Sequence, residues 1–165
     1  MTGLKELMRA GPGRTLAVAE SLTSGRLQAR IGAISGASAF FLGGLTAYSL
    51  EQKVNLLGVD RAEAELANCV SSRVAEQMAR GACVLFGADL GVATTGYAEP
   101  APDQRVAAPF AWWAVARREG ADYQLGSGRV DGTGLGRVEM QEKAAEAALA
   151  ALLAVLRGPA GPRTT

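Results

Sequence analysis

Residues 14–25, RTLAVAESLTSG, join an apolar run to a cluster of polar side chains. The first six residues form a short, mostly apolar run that is compatible with a β-strand. This predicts a buried strand. Four polar residues follow at once: Glu20, Ser21, Thr23 and Ser24. Beyond Gly25, Leu27 and Ile31 recur at helical spacing, so the polar cluster lies at a strand-to-helix turn. One interpretation is a helix N-cap. The alternative is a nucleophile held at the turn.

The segments on either side of this turn repeat the pattern of strand followed by helix. Apolar strands are predicted at residues 14–20, 43–49 and 88–96, with helical segments between them. Two later strands, residues 110–120 and 121–130, form a hairpin, and an Ala/Leu-rich helix covers residues 137–157. Alternating strands and helices indicate parallel pairing with both faces of the sheet covered. We therefore predict an α/β fold, a three-layer α/β/α sandwich with a mixed, mostly parallel sheet.

We expect a single domain over residues 1–158 and a flexible tail over residues 159–165. The N-terminal stretch has no apolar h-region, so we expect no secretory signal. Because the predicted domain begins close to the first residue, we also expect no preceding fused domain. Cys69 and Cys83 are too few for a disulfide scaffold, which favours a cytoplasmic protein. Apolar surface near Trp112 and Trp113 leads us to expect a homo-oligomer.

The chain contains no histidine among its 165 residues. This excludes Ser-His-Asp and Cys-His triads and histidine-ligated zinc. No tight acidic cluster indicates magnesium, so we expect neither a metal nor a cofactor. The formal net charge of +1 gives no reason to expect nucleic acid or an anionic membrane as a partner. No apolar run is long enough to span a bilayer.

Hydroxyl side chains occur at the end of each predicted parallel strand. They are Ser21 after the first, Tyr48 and Ser49 at the second, and Thr94 and Thr95 before Gly96 at the third. Ligands of α/β sheets bind beyond the carboxyl ends of the strands. We therefore expect these hydroxyl groups to converge on one edge of the sheet.

A serine hydroxyl becomes a good nucleophile only when a base removes its proton. Without histidine, a lysine whose pKa is lowered by burial is the natural base. Lys53 lies four residues after Ser49 and can reach the first strand, whereas the other two lysines lie on amphipathic helices. An exposed position for Lys53 is the competing interpretation, as is a capping or arginine-pairing role for Glu20. Backbone N–H groups next to Ser21 could hold an oxyanion or a phosphate.

Four ordered segments resemble one known family. AESLTSG is similar to A-E-S-C-T-G-G, and residues 36–59 are similar to G-S-S-x-x-F-x-G-G-x-x-x-Y-S-N-E-x-K-x-x-x-L-G-V. VSSRVAEQMARGA resembles V-S-E-x-V-A-x-x-M-A-x-G-A, and ADLGVATTGYAEP resembles A-D-x-x-v-a-x-[ST]-G-I-A-G-P. Over roughly residues 3–157 the chain resembles the C-terminal domain of the competence/damage-inducible protein CinA. That family includes nicotinamide-nucleotide amidases (NMN deamidases).

The resemblance implies an α/β/α fold and a metal-independent Ser/Lys amidohydrolase, with Ser21 as nucleophile and Lys53 as base. The substrate-binding residues that it implies are Glu20, Thr23, Ser24, Gly25, Tyr48, Ser49, Thr95 and Gly96. The implied reaction hydrolyses the carboxamide of nicotinamide mononucleotide, giving nicotinic acid mononucleotide and ammonia, a step of pyridine nucleotide salvage. The expected partner is this nucleotide or a related amide.

The chain departs from the family pattern at several positions. Leu22, Ser24 and Leu50 replace a cysteine, a glycine and an asparagine. The family's glycine-rich G-P-D-G-G loop reads EPAPD here, and its first glycine is Glu99, a carboxylate that would repel a phosphate. Arg137 in GTGLGR is a shifted counterpart of a late G-[DN]-R motif. The alternative function is therefore a catalytically altered or silent domain that binds a ligand or a protein.

Overall fold

A five-stranded sheet with the order β2-β1-β3-β4-β5 forms the central layer of the computed structural model, which describes residues 3–10 and 14–158. The strands are β1 Leu16–Glu20, β2 Phe41–Thr46, β3 Leu90–Tyr97, β4 Phe110–Glu119 and β5 Asp122–Asp131. β1 pairs in parallel with β2 and β3, and the β3–β4 and β4–β5 pairs are antiparallel. Four of the five strands therefore run in one direction.

Helices cover both faces of this sheet. They are α1 Leu4–Arg9, α2 Arg26–Gly32, α3 Leu50–Leu57, α4 Arg61–Leu66, α5 Ser72–Phe86 and α6 Arg137–Arg157, with 3-10 turns at Ala37–Ala39 and Pro102–Gln104. On β1, Leu16 and Val18 pack with α1, α2 and α6, whereas Ala17 and Ala19 pack with α3, α4 and α5. This alternation follows from the two-residue period of a strand. The predicted three-layer α/β/α class is confirmed.

Glycines let α5 lie close to its neighbours. A Cβ atom on Gly91 of β3 would collide with the backbone carbonyl of Ala79, and one on Gly81 would collide with that of Leu57. The abundance of Gly and Ala thus produces a tightly packed layer, which fixes α3 and α5 against the sheet. This packing matters for the site because α3 carries Lys53.

Two details of the sequence reading change in the structure. β2 ends at Thr46 rather than at residue 49, and Ser49 caps α3 by accepting a hydrogen bond from the backbone N–H of Gln52. The tail predicted for residues 159–165 lies outside the described residues. None of the described helices combines the length and apolar character needed to cross a membrane.

Candidate active site

Ser21 is the first residue after β1 and lies at the carboxyl edge of the sheet. A turn of five residues, 21–25, separates β1 from α2, and it contains left-handed backbone at Ser24 (φ 47°) and Gly25 (φ 91°). Ser21 is 8% exposed, so its side chain lies at the inner end of a cavity rather than on the surface. The hydroxyl is therefore shielded from bulk water on most sides.

Glu20, the preceding residue, has a structural role. Its fully buried carboxylate accepts hydrogen bonds from the backbone N–H groups of Gly25 (3.0 Å), Leu27 (3.1 Å) and Gln28 (2.9 Å). The capping interpretation thus describes Glu20. It also means that these N–H groups at the start of α2 are already bound, so they do not offer a free site for an oxyanion or a phosphate.

Lys53 of α3 is buried beneath the same edge, with 1% of its surface exposed. Its Nζ atom lies 3.1 Å from Ser21 Oγ. The same atom donates to two backbone carbonyls between β2 and α3, those of Ala47 at 2.9 Å and Tyr48 at 3.3 Å. The side chain is thereby held by three oxygen atoms, and the exposed-surface interpretation of Lys53 does not apply.

Burial lowers the pKa of the Lys53 amine below its ordinary value of 10.5. The cause is desolvation, because the ammonium form loses hydration that the amine form does not need. Cys69, when ionised, opposes this shift in pKa to a smaller extent. Among the described residues no carboxylate forms an ion pair with Lys53, so no opposite charge offsets the cost of burying its ammonium form.

A cavity of about 360 Å³ opens above Ser21 and Lys53. It collects residues from the ends of three strands, as the hydroxyl pattern predicts. Five of the ten predicted site residues line it: Ser21, Tyr48, Lys53, Thr95 and Gly96. The other five do not: Glu20, Thr23, Ser24, Gly25 and Ser49. Thr23 instead shares a 2.7 Å hydrogen bond with Thr94, which ties the turn after β1 to β3.

The segment after α4 supplies a wall that the sequence reading missed. Asn68, Cys69 and Val70 line the cavity, and the first two have left-handed backbone with φ of 45° and 63°. Thr95 Oγ1 donates a 2.7 Å hydrogen bond to the Cys69 carbonyl and so attaches this segment to β3. Asparagine tolerates the left-handed conformation better than most residues, which is the one local signal for this turn.

The outer end of the cavity is crossed by an ion pair. The Arg137 guanidinium at the start of α6 lies 2.7 Å from Glu99 Oε1 and donates a 3.0 Å hydrogen bond to the Tyr48 hydroxyl. Arg137, noted in the sequence as a shifted motif residue, therefore reaches the cavity. Glu99, Pro100 and Ala101 form the adjoining wall.

No group of three Cys, Asp or Glu side chains within residues 3–10 and 14–158 is placed to hold a metal ion. The charged side chains that line the cavity are Lys53, Glu99 and Arg137. The site consists of a hydroxyl, a buried amine and an exposed ion pair. This combination suits proton transfer to and from a serine.

Comparison with known proteins gives one family. The family model for the CinA C-terminal domain matches residues 4–156. A CinA-like protein of Chlorobium limicola is 38% identical over 152 residues, covering 90% of this chain and 35% of the relative. One of Picosynechococcus sp. is 51% identical over 89 residues, covering 54% of this chain and 21% of the relative. The chain thus spans about a third or less of the length of these relatives.

Solved structures give the same result. The competence damage-inducible protein A (ComA) of Klebsiella pneumoniae superposes with a TM-score of 0.84 at 31% identity, covering 95% of this chain and 94% of that one. A competence or damage-inducible protein of Enterobacter asburiae gives a TM-score of 0.85 at 29% identity, covering 94% of each chain. With the family match over residues 4–156, these similarities show that the chain belongs to the CinA C-terminal domain family.

Proposed function

We propose that this chain is an amidohydrolase of the nicotinamide-nucleotide amidase type, in which Ser21 is the nucleophile and Lys53 its base. The observation that carries the proposal is the 3.1 Å separation of Ser21 Oγ and Lys53 Nζ at the buried end of an open cavity. A buried lysine without a paired carboxylate is unusual in a structural role, because its charge is costly to desolvate.

In its neutral amine form, Lys53 would direct its lone pair at Ser21. A neutral amine has two hydrogens and one lone pair, whereas the two carbonyl oxygens of Ala47 and Tyr48 can only accept. Both hydrogens then go to those carbonyls. The lone pair remains for the third neighbour, so Ser21 donates its hydroxyl proton to Nζ.

The chemistry follows from this arrangement. Ser21 Oγ attacks the amide carbon while its proton passes to Lys53 Nζ. Collapse of the tetrahedral intermediate transfers that proton to the departing nitrogen and releases ammonia, leaving an ester on Ser21. A water molecule then repeats the sequence, with Lys53 accepting its proton and returning it to Ser21. The pyridinium charge of a nicotinamide nucleotide would make the carbonyl carbon more electrophilic.

The oxyanion would be held by the turn after β1. Within that described turn, the N–H of Ser24 donates to the Ser21 carbonyl and that of Arg26 donates to the Thr23 carbonyl. The backbone N–H group of Leu22, which lines the cavity next to Ser21, is therefore the candidate for stabilising negative charge there. This replaces the α2 N-terminus, whose N–H groups bind Glu20.

The size and the opening of the cavity support binding of a small amide. Its volume of about 360 Å³ is at the lower end of the range typical of small-molecule sites. The rewritten loop contributes Glu99 to Ala101 as a wall, and Leu50 is not among the lining residues. These features support access of a small amide to Ser21.

The deciding experiment is ammonia release from nicotinamide mononucleotide, and separately from its nucleoside, by the purified chain. Ser21→Ala and Lys53→Met are the test variants, and Lys143→Met is the matched control, since Lys143 is an exposed lysine on α6. We expect activity in the wild type and control and its loss in both test variants. Release that is equal in all four proteins, or absent from the wild type with both amides, would contradict the proposal and favour the binding module.

A further inference from the structure

We infer that Glu99 is a specificity determinant that turns this site away from phosphate-bearing amides and towards amides without a phosphate. The inference rests on the proposed function and concerns the outer end of the same cavity. Its basis is the ion pair between Glu99 and Arg137, which occupies the cation that would otherwise attract an anionic substrate group.

Three separate elements meet at this ion pair. Glu99 follows β3, Arg137 begins α6, and Tyr48 lies between β2 and α3, and all three line the cavity. The Glu99 and Arg137 side chains are 61% and 46% exposed, so the pair lies at the opening. An incoming substrate therefore meets this pair before it reaches Ser21.

The charges that line the cavity determine whether an amide with or without a phosphate binds better. With Lys53 in the amine form that a base requires, the charges of Glu99 and Arg137 cancel within the lining of the cavity. A phosphate carries up to two negative charges, so binding to Arg137 places it beside the Glu99 carboxylate or requires the carboxylate to leave. Both alternatives weaken the binding of a phosphate.

An uncharged group meets no such penalty. Glu99 Oε1 and the Tyr48 hydroxyl use two of the five N–H bonds of Arg137, which leaves donors for a neutral acceptor. The Glu99 carboxylate in turn accepts hydrogen bonds from sugar hydroxyls. The geometry thus fits the nucleoside form of a pyridinium carboxamide, which keeps the ribose and the positive ring and lacks the phosphate.

The test compares two ligands that differ only in the phosphate, nicotinamide mononucleotide and its nucleoside. Affinities are measured by calorimetry in a Ser21→Ala background, so that neither ligand is consumed, and ammonia release is measured separately with Ser21 intact. Glu99→Gln is expected to shift the affinity ratio by about tenfold towards the nucleotide. Adding Arg137→Gln should abolish that shift, because the phosphate then has no freed cation to bind.

Glu146→Gln is the matched control, since Glu146 pairs with Arg30 at 3.1 Å and is not a cavity residue. A ratio that Glu99→Gln changes by less than twofold, or that Glu146→Gln changes equally, would overturn the inference. No detectable binding of either ligand would overturn it as well. If the ratio shifts as expected but neither ligand releases ammonia, the specificity role stands and the proposed amidase fails.

Discussion

The inner and outer ends of the cavity are built in opposite ways. At the inner end, Ser21 and Lys53 are almost fully buried, and Lys53 is held by backbone carbonyls between β2 and α3. At the outer end, Glu99 and Arg137 are exposed and held by each other and by Tyr48. The inner end is held in place by the sheet and by packed helices. The outer end is held by contacts between exposed side chains, which hydrogen bonds to water can replace.

In the proposed amidase, this difference would separate the chemistry from the choice of substrate. Moving Lys53 would require α3 to shift against α5, and close packing at Gly81 resists that movement. Replacing Glu99 changes one exposed side chain of a loop. Under the proposed function, the reacting groups could therefore stay fixed while the substrate preference varies, because the outer end can change without disturbing the core.

The largest effect is expected from removing the reacting pair. Ser21→Ala and Lys53→Met should each lower kcat/KM for the amide by about 10⁴-fold, because nucleophile and base act as one unit. The double variant should lose little more than either single variant. Steady-state ammonia release from all three proteins measures this. Losses that multiply in the double variant would show that the two residues act separately.

The next largest effect is expected at Glu20, the residue before Ser21, whose carboxylate caps the start of α2. Glu20→Gln should lower the free energy of unfolding by about 2–3 kcal/mol, since an amide NH₂ would face backbone N–H donors at Gly25, Leu27 or Gln28. Urea denaturation measures the change. Glu119→Gln, at the exposed end of β4, is the matched control and should change stability by less than about 0.5 kcal/mol. Equal effects of the two changes would contradict the capping role.

The residues at the inner end of the cavity were largely predictable from the sequence. Apolar strands that end in Ser21 and Thr95, and the single lysine near a strand end, indicated both the fold and the meeting point. The carboxyl ends of parallel strands must share an edge, so spacing alone brought these residues together. The role of Glu20 was left open, because a buried carboxylate and a ligand-binding one look alike in a sequence.

The contacts at the outer end of the cavity were not predictable in the same way. Arg137 lies 38 residues beyond Glu99 along the chain, and no periodic pattern relates them. The contact depends on where the loop after β3 and the start of α6 end up in space. The segment of Asn68 to Val70 was not predicted for the same reason. Its left-handed turn forms one wall of the cavity, and no hydrophobic periodicity in the sequence indicates such a turn.

A pH-dependent effect distinguishes the buried lysine from an exposed one. The pKa of Lys53 is lowered in the folded chain, so below its ordinary value of 10.5 the unfolded chain binds more protons. The contribution of Lys53 to the free energy of unfolding therefore falls as the pH drops from 10.5 towards the lowered pKa that Lys53 has in the folded chain. The fall is at most about 1.4 kcal/mol per pH unit. Lys53→Met should flatten this dependence in denaturation experiments between pH 7 and pH 10, and Lys143→Met should not. A profile that neither change alters would show that burial does not destabilise the charged amine.

The smallest effect is expected at the outer end of the cavity. Glu99→Gln, Arg137→Gln and Tyr48→Phe should each change the free energy of unfolding by less than about 1 kcal/mol, because exposed ion pairs gain little over their hydrated state. A double-mutant cycle on Glu99 and Arg137, measured by urea denaturation at low and high salt, gives their coupling directly. We expect a coupling of a few tenths of a kcal/mol that salt removes. A coupling above about 2 kcal/mol that salt leaves unchanged would place this pair with the buried inner end. The opening would then be a fixed part of the fold, and a phosphate could not separate Arg137 from Glu99.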